Sequence, residues 1–316
     1  MLYLVLVVKL KIFAFILALM IFVLPSSVLA ATAAPEFQSV KLYDGVNASV
    51  TSTLTLFDGL GNQYIAGYFS VPGVNFNPDG FDYHTSSGNY DAFLTKYNAD
   101  GSYGWTKTWG GADTETVYSF VISANNSIYI SGVFSSINTN FNPEGIDLKS
   151  TNGSWDTYLT KFNSDGTYGW TKTWGGAGTD ASYSIASDAN SSVYITGSFQ
   201  GNNINFNPAG SDLKSSNGGA TDAYLTKYNA DGSYGWTKTW GGTLTEDNYA
   251  VAVDGNNNVF VAGRFIGTNI NFNPAGSDLR TPVGSYDISL TKYNSDGTYG
   301  WTKTWGGVGS RVSVCN

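Results

Sequence analysis

The sequence predicts an all-β protein, a β-propeller of four-stranded blades, and three observations carry that expectation. The first is the stretch Tyr-Gly-Trp-Thr-Lys-Thr-Trp, which stands at 103–109, 168–174, 234–240 and 299–305. Its successive first tryptophans, Trp105, Trp170, Trp236 and Trp301, lie 65, 66 and 65 residues apart. A fixed period of this size marks a repeat architecture in which each unit buries its faces against its neighbours. The second observation is that each period holds four short strand-like runs separated by turn residues, the layout of a propeller blade. The third is composition: aromatics make up 15% of the 316 residues and there are 38 glycines, which suits turn-rich sheets with ample apolar area.

The first thirty residues read as a signal peptide. Lys9 and Lys11 precede an apolar run over 12–24, and Val28-Leu29-Ala30 supplies small residues at the positions a signal peptidase reads. The apolar stretch ahead of Lys9 leaves an uncleaved anchor as the alternative. Either reading places the rest of the chain outside the cytoplasm, secreted or at the cell surface. Residues 31–53 form a linker and an N-terminal strand, Phe37-Gln38-Ser39-Val40-Lys41-Leu42-Tyr43, whose alternation aligns with that of the tryptophan strand.

The repeats then run 54–117, 118–182, 183–248 and 249–310. Each opens with an apolar run (54–57, 118–122, 183–186, 249–253) and a turn such as Asp254-Gly255-Asn256-Asn257, whose residues tolerate positive φ and bond their own backbone. The second strand (64–67, 128–132, 193–197, 259–263) carries β-branched and aromatic residues on both faces, as a strand covered on both sides requires. A long connection follows, containing Asn75-Phe76-Asn77-Pro78 and its copies from Asn140, Asn205 and Asn271. Third strands begin at Asp91, Asp156, Asp222 and Asp287, and a glycine-ended turn such as Asn98-Ala99-Asp100-Gly101 joins each to its tryptophan strand as a hairpin. Strict alternation there puts Tyr103, Trp105, Lys107 and Trp109 on one face and Gly104, Thr106 and Thr108 on the other. The eight repeated tryptophans are expected to pack between blades, the alternative being an exposed platform for sugar rings.

Fourth strands outnumber the other sets by one, and 311–316 begins what reads as a further first strand. The expectation is an incomplete larger ring.

The repeat resembles the bacterial β-propeller family of SBBP-type repeats. The likeness lies in Asp222-Ala223-Tyr224-Leu225-Thr226-Lys227-Tyr228-Asn229-Ala230-Asp231-Gly232, the tryptophan strand with Gly241-Gly242, and the strands 249–254 and 258–263. It implies a propeller in a secreted or surface-attached bacterial protein, and no defined activity. This chain departs from the family in its longer second connection.

Signals for chemistry are few. A formal charge of -8 argues against a nucleic-acid partner. Cys315, the only cysteine, cannot form an internal disulfide, and His84, the only histidine, excludes multi-histidine metal sites and a triad in every blade. His84 is expected in a solvated loop. The long connection offers a calcium site: Asn75, Asn77, Asp79 and Asp82 place oxygen side chains on alternate residues about Gly80, and Asn140, Asn142, Glu144 and Asp147 repeat the pattern. Ala209 and Ala275 replace the middle acid in the other two copies. The competing reading is a loop tied down by Asx turns, needing no ion. No other cofactor is expected.

These features point to a non-enzymatic exported or cell-surface scaffold that presents loops to a glycan or protein partner, with no membrane contact beyond the export signal. The alternative is a secreted polysaccharide hydrolase or lyase using acids gathered on one face of the ring. Near-identical copies favour the module, because a single catalytic site needs one blade to differ.

Overall fold

The computed structural model describes residues 49–70, 73–218 and 220–308. The signal segment, the strand expected at 37–43 and the partial repeat at 311–316 lie outside the described residues. Every regular element among the described residues is a strand. The first repeat forms β1 (Ser49–Phe57), β2 (Gln63–Ser70), β3 (Val74–Asn75), β4 (Tyr83–His84), β5 (Asp91–Tyr97) and β6 (Tyr103–Trp109). The second forms β7 (Glu115–Ile122), β8 (Ile128–Phe134), β9 (Thr139–Asn140), β10 (Leu148–Lys149), β11 (Asp156–Phe162) and β12 (Tyr168–Trp174). The third forms β13 (Ala181–Ser187), β14 (Val193–Phe199), β15 (Ile204–Asn205), β16 (Leu213–Lys214), β17 (Asp222–Tyr228) and β18 (Tyr234–Trp240). The fourth forms β19 (Glu246–Val253), β20 (Val259–Phe265), β21 (Ile270–Asn271), β22 (Leu279–Arg280), β23 (Asp287–Tyr293) and β24 (Tyr299–Trp305).

In each repeat the four long strands pair antiparallel in chain order, as in β1-β2-β5-β6, to give one propeller-like blade. The long connection, expected from the sequence to be a loop, carries a two-stranded ribbon of its own, β3 with β4 in the first repeat. Both faces of β8 and β14 are buried throughout, as their unbroken apolar and small-residue runs require. The first strands of successive blades, β1, β7, β13 and β19, adjoin one another, so the sheets converge on that edge.

The tryptophan strand departs from strict alternation. Tyr97 faces Tyr103 and Lys96 faces Trp105, so Gly104 is the extra residue of a bulge. A bulge resets the two-residue period. Tyr103 therefore packs with Phe76 and Phe93, while Trp105 and Trp109 lie on the opposite face with Tyr64 and Leu94. This corrects the grouping of Tyr103 with the two tryptophans. Gly104 suits the place, because a Cβ there would come to 3.0 Å from the Lys96 carbonyl oxygen.

The core lies between blades. One cluster joins Tyr64, Leu94 and Trp109 of the first blade to Phe120, Ile130, Tyr158 and Phe162 of the second. A second joins Tyr129, Leu159 and Trp174 to Ile195, Phe206, Tyr224 and Tyr228, and a third joins Tyr194, Leu225 and Trp240 to Val261, Phe272 and Tyr293. Tryptophans of the first three blades are thus junction residues, packed by large aromatic area.

Candidate functional site

Three sets of polar or aromatic side chains are candidates, and the ribbon loops come first because the sequence singles them out. Asn75 Oδ1 accepts the N–H groups of Asn77 (3.1 Å) and Asp82 (2.9 Å), and its Nδ2 donates to the Gly80 carbonyl (3.0 Å). Asn77 Oδ1 accepts the Asp79 N–H. Asn140 bonds Asn142, Asp147 and Gly145 in the same way, and Asn142 accepts from Glu144. Asn205 and Asn271 repeat the network where Ala209 and Ala275 replace the acid. The loop thus takes one shape with or without that carboxylate.

The acid closing each loop is held from two sides. Asp82 accepts from the Tyr103 hydroxyl and Asp147 from the Tyr168 hydroxyl, and Asp212 and Asp278 pair likewise with Tyr234 and Tyr299. A cation lies on the other oxygen: Lys149 Nζ at 2.5 Å from Asp147, Lys214 Nζ at 2.7 Å from Asp212, and Arg280 Nε at 2.8 Å from Asp278. Burial, with the carboxylate beside it, pushes the Tyr299 hydroxyl up to about 12 and the three others higher. Glu144 reaches back to Lys107 of the preceding blade. Of the eight residues proposed for calcium, the structure brings together the asparagines and the closing aspartate of each loop, with the amide oxygens engaged by backbone N–H groups. Among the described residues no three of His, Cys, Asp and Glu group as metal ligands.

His84 holds the cation's place in the first repeat. It is half-buried rather than solvated: Nδ1 lies 3.0 Å from Thr108 Oγ1, Nε2 is 3.2 Å from Asp82 Oδ1, and the ring meets the edge of Phe76. The correction has a simple cause, since β3 and β4 fold the connection back onto the blade.

The second set is a layer of buried acids. Asp91, Asp156, Asp222 and Asp287 open the third strands and accept backbone N–H groups of Ser87, Asn152, Asn217 and Val283, respectively. Glu115 and Glu246 open two of the first strands, Asp180 immediately precedes a third, and they accept the N–H groups of Gly111, Gly242 and Gly176 at 2.7–2.8 Å. Burial raises the proton affinity of Asp91, Asp156, Asp222, Glu115, Asp180 and Glu246, and a neighbouring acid adds to it for Glu115, Asp180, Asp222 and Glu246. Glu115, Asp180 and Asp222 reach about 7 and Asp156 about 6. These carboxylates face backbone, not solvent. A repeated Asp at the head of every third strand is the sequence signal for four of these seven acids.

The third set was missed in the sequence. Each first strand carries a bulge, and the unpaired residues are Thr53, Tyr118, Tyr183 and Tyr249. The three rings form a column: Tyr118 and Tyr183 stack at 6.1 Å with 27° between planes, and Tyr183 and Tyr249 lie 5.5 Å apart at 35°. The Arg264 guanidinium continues it, 5.4 Å from the Tyr249 ring and 4.8 Å from that of Tyr286. Asp247 fixes Arg264 through Nε (3.1 Å) and Nη2 (2.9 Å) and accepts the Tyr249 hydroxyl. At the other end Tyr118 is 41% exposed, because the first blade offers only Thr53, whose hydroxyl donates to the Val117 carbonyl. Ser52, Thr53 and Thr55 stand exposed on the adjacent strand. An open aromatic face beside a row of hydroxyls can stack a ring and hydrogen-bond its substituents.

Comparison with known proteins agrees with a repeat protein. No family model matches the chain. An uncharacterized WD repeat-containing protein, L264, of Acanthamoeba polyphaga mimivirus is 25% identical over 181 residues, covering 54% of this chain and 13% of that protein. The regulatory protein FlaEY of Caulobacter vibrioides is 26% identical over 225 residues, covering 67% of this chain and 22% of that protein. The chain therefore spans less than a quarter of the length of either relative. Among solved structures, a member of the DUF4221 family from Bacteroides vulgatus aligns over 84% of this chain and 87% of its own at 11% identity, with a TM-score of 0.32.

Proposed function

We propose that this chain is a non-enzymatic binding scaffold of the SBBP propeller type, exported to the cell surface or secreted, whose partner is a neutral glycan. One observation carries the reading: the tyrosine column ends in an exposed ring, that of Tyr118, next to a strand on which Ser52, Thr53 and Thr55 are exposed. A pyranose presents an apolar C–H face and equatorial hydroxyls, which suit an exposed ring beside a strand that carries hydroxyl residues. The acidic chain would repel an anionic polymer, so the glycan is neutral. Support for export is the signal-like segment with Lys9, Lys11 and the apolar run that follows.

The hydrolase alternative receives no support from the acids. Glu115, Asp156, Asp180 and Asp222 are buried, and each holds a backbone N–H on one carboxylate oxygen, away from the surface a polysaccharide would meet.

The test is affinity electrophoresis against a panel of neutral and acidic polysaccharides, followed by calorimetry on any that retard the protein. A neutral glycan should bind, and Tyr118→Ala should weaken it about tenfold, the loss expected for one stacked ring. Absence of retardation by every neutral glycan, or equal affinity in Tyr118→Ala, would overturn the reading and leave a protein partner as the occupant to seek.

A further inference from the structure

The three blade junctions repeat one arrangement, but only the first has an acid in the ribbon loop opposite its lysine. Lys107, Lys172 and Lys238 hold the same place in the tryptophan strand. Each Nζ lies over the indole two residues before it, at 5.8, 5.4 and 5.3 Å from the ring centre. Across the junction stands the ribbon loop of the next blade: Asn142-Pro143-Glu144-Gly145, Asn207-Pro208-Ala209-Gly210 or Asn273-Pro274-Ala275-Gly276. In the first junction Glu144 pairs with Lys107. The loop backbone keeps its shape where the acid is missing. Gly145, Gly210 and Gly276 donate their N–H groups to the carbonyls of Asn142, Asn207 and Asn273 at 3.2, 3.0 and 3.0 Å. Ala275 donates its N–H to Asn273 Oδ1, as Glu144 does to Asn142 Oδ1.

Where alanine replaces the acid, a cavity lies between the lysine and the loop. That of the second junction, about 220 Å³, is lined by Lys149, Thr171, Lys172, Thr173, Pro208 and Ala209. That of the third, about 360 Å³, has Lys238 on one side and Pro274, Ala275, Thr298 and Tyr299 on the other. Lys149 is already paired with Asp147. Neither Lys172 nor Lys238 makes an ion pair among the described residues. Asp296 acts on Lys238 from farther off, as Asp165 does on Lys107, and Lys107 takes the Glu144 carboxylate all the same.

We propose that these two cavities bind a small monocarboxylate, held by Lys172 or Lys238 in the place that Glu144 takes on Lys107. An ammonium has three donors and forms charge-assisted hydrogen bonds with a carboxylate. The short alkyl part of the acid takes the room that the Glu144 methylenes fill in the first junction. A small acid meets the local charge of one lysine, because at about 0.1 M salt exposed charges beyond about 10 Å are screened. An anionic polymer meets the whole acidic chain instead, so this site is compatible with a neutral glycan on Tyr118.

The probe is sodium propionate, which reproduces the carboxylate and methylene of a glutamate side chain. It is titrated in exchange for chloride, at constant ionic strength, into the full chain with carbon-13-labelled alanine and threonine methyl groups. The Ala209, Ala275 and Thr298 signals should shift and saturate at millimolar propionate, and should not move with uncharged propionamide. Lys172→Met should abolish the response of Ala209 alone, and Lys238→Met those of Ala275 and Thr298 alone. Glu144→Ala, which copies the other two loops and so keeps the fold, should open a third site whose new methyl signal moves with the others. Ala275→Glu returns the carboxylate to the chain and should silence Thr298 while Ala209 still responds. Shifts that never saturate, that propionamide reproduces, or that persist in the lysine variants would overturn the proposal. So would a Glu144→Ala protein whose new methyl signal does not respond.

Discussion

The Trp170 indole lies over Gly232 so closely that a Cβ on the glycine would come within 2.7 Å of Nε1, in a turn where φ is +85°. Two demands meet at that residue: a left-handed backbone, and room for a ring from the preceding blade. Gly73 also has positive φ, but no described atom lies within 4 Å of where its Cβ would stand. Gly73→Ala should therefore cost only backbone strain, about 1 kcal/mol. Gly232→Ala should cost roughly 2–4 kcal/mol, since the indole must move as well. Urea denaturation of the two variants checks the difference; equal losses would mean that the ring contact contributes nothing.

The tyrosine column separates stability from binding. Tyr183 meets two rings, those of Tyr118 and Tyr249, whereas Tyr118 ends the column and is 41% exposed. Tyr183→Ala should destabilise the protein by roughly 2–4 kcal/mol. Tyr118→Ala should cost under about 1 kcal/mol while losing most glycan affinity. Thermal melts and calorimetry on the same samples test the split.

The buried acids set a pH slope. Glu115, Asp156, Asp180 and Asp222 bind protons more tightly in the fold than in the unfolded chain, reaching about 7, 6, 7 and 7. Their protonated forms favour the fold, so this contribution is complete below the ordinary carboxylate range and is lost as pH rises through 6 to 7. The melting temperature should fall between pH 5 and pH 8. Asp180→Asn and Glu115→Gln should each flatten that slope, by on the order of 1–3 kcal/mol over the window. The opposite group, exemplified by Asp165 and Asp254, is held below the usual range by neighbouring hydroxyl, amide and N–H donors, and acts only in stronger acid.

In the ribbon loops the asparagine should matter more than the acid. Asn205 makes three bonds within its loop, and Ala209 shows that the middle acid is dispensable to its shape. Asn205→Ala should cost roughly 1–3 kcal/mol, and Asp79→Ala within about 0.5 kcal/mol. Melts with and without millimolar calcium should coincide for the wild type and for Asn77→Ala/Asp79→Ala. A calcium-dependent rise in the wild type, absent from the double variant, would instead assign the first loop to the ion.

Local chemistry made much of this molecule legible. The period of the tryptophans, the Asn-Ala-Asp-Gly and Asn-Ser-Asp-Gly hairpins, and the β-branched second strands are short-range signals, and each blade forms where they place it. The Asx-turn reading of the long connection was also local, and Asn75 bonds residues two, five and seven positions away. The ribbon escaped because two-residue strands leave no periodic pattern, and with it the burial of His84.

What the sequence by itself determined is the all-β repeat, the four-stranded unit and the identity of the residues at its junctions, because period and turn chemistry act within a few residues. Only the tertiary structure decided which way those residues point. One bulge at Gly104 moves Tyr103 to the other face of its sheet, and the bulges of the first strands line up Tyr118, Tyr183 and Tyr249, which lie 65 and 66 residues apart in the chain. A slip of one residue reverses every side chain beyond it, and a stack between blades depends on pairings remote in sequence. The same tryptophan strand is buried at Trp240 and half-exposed at Trp305 for that reason: its environment belongs to the neighbouring blade, not to its own seven residues.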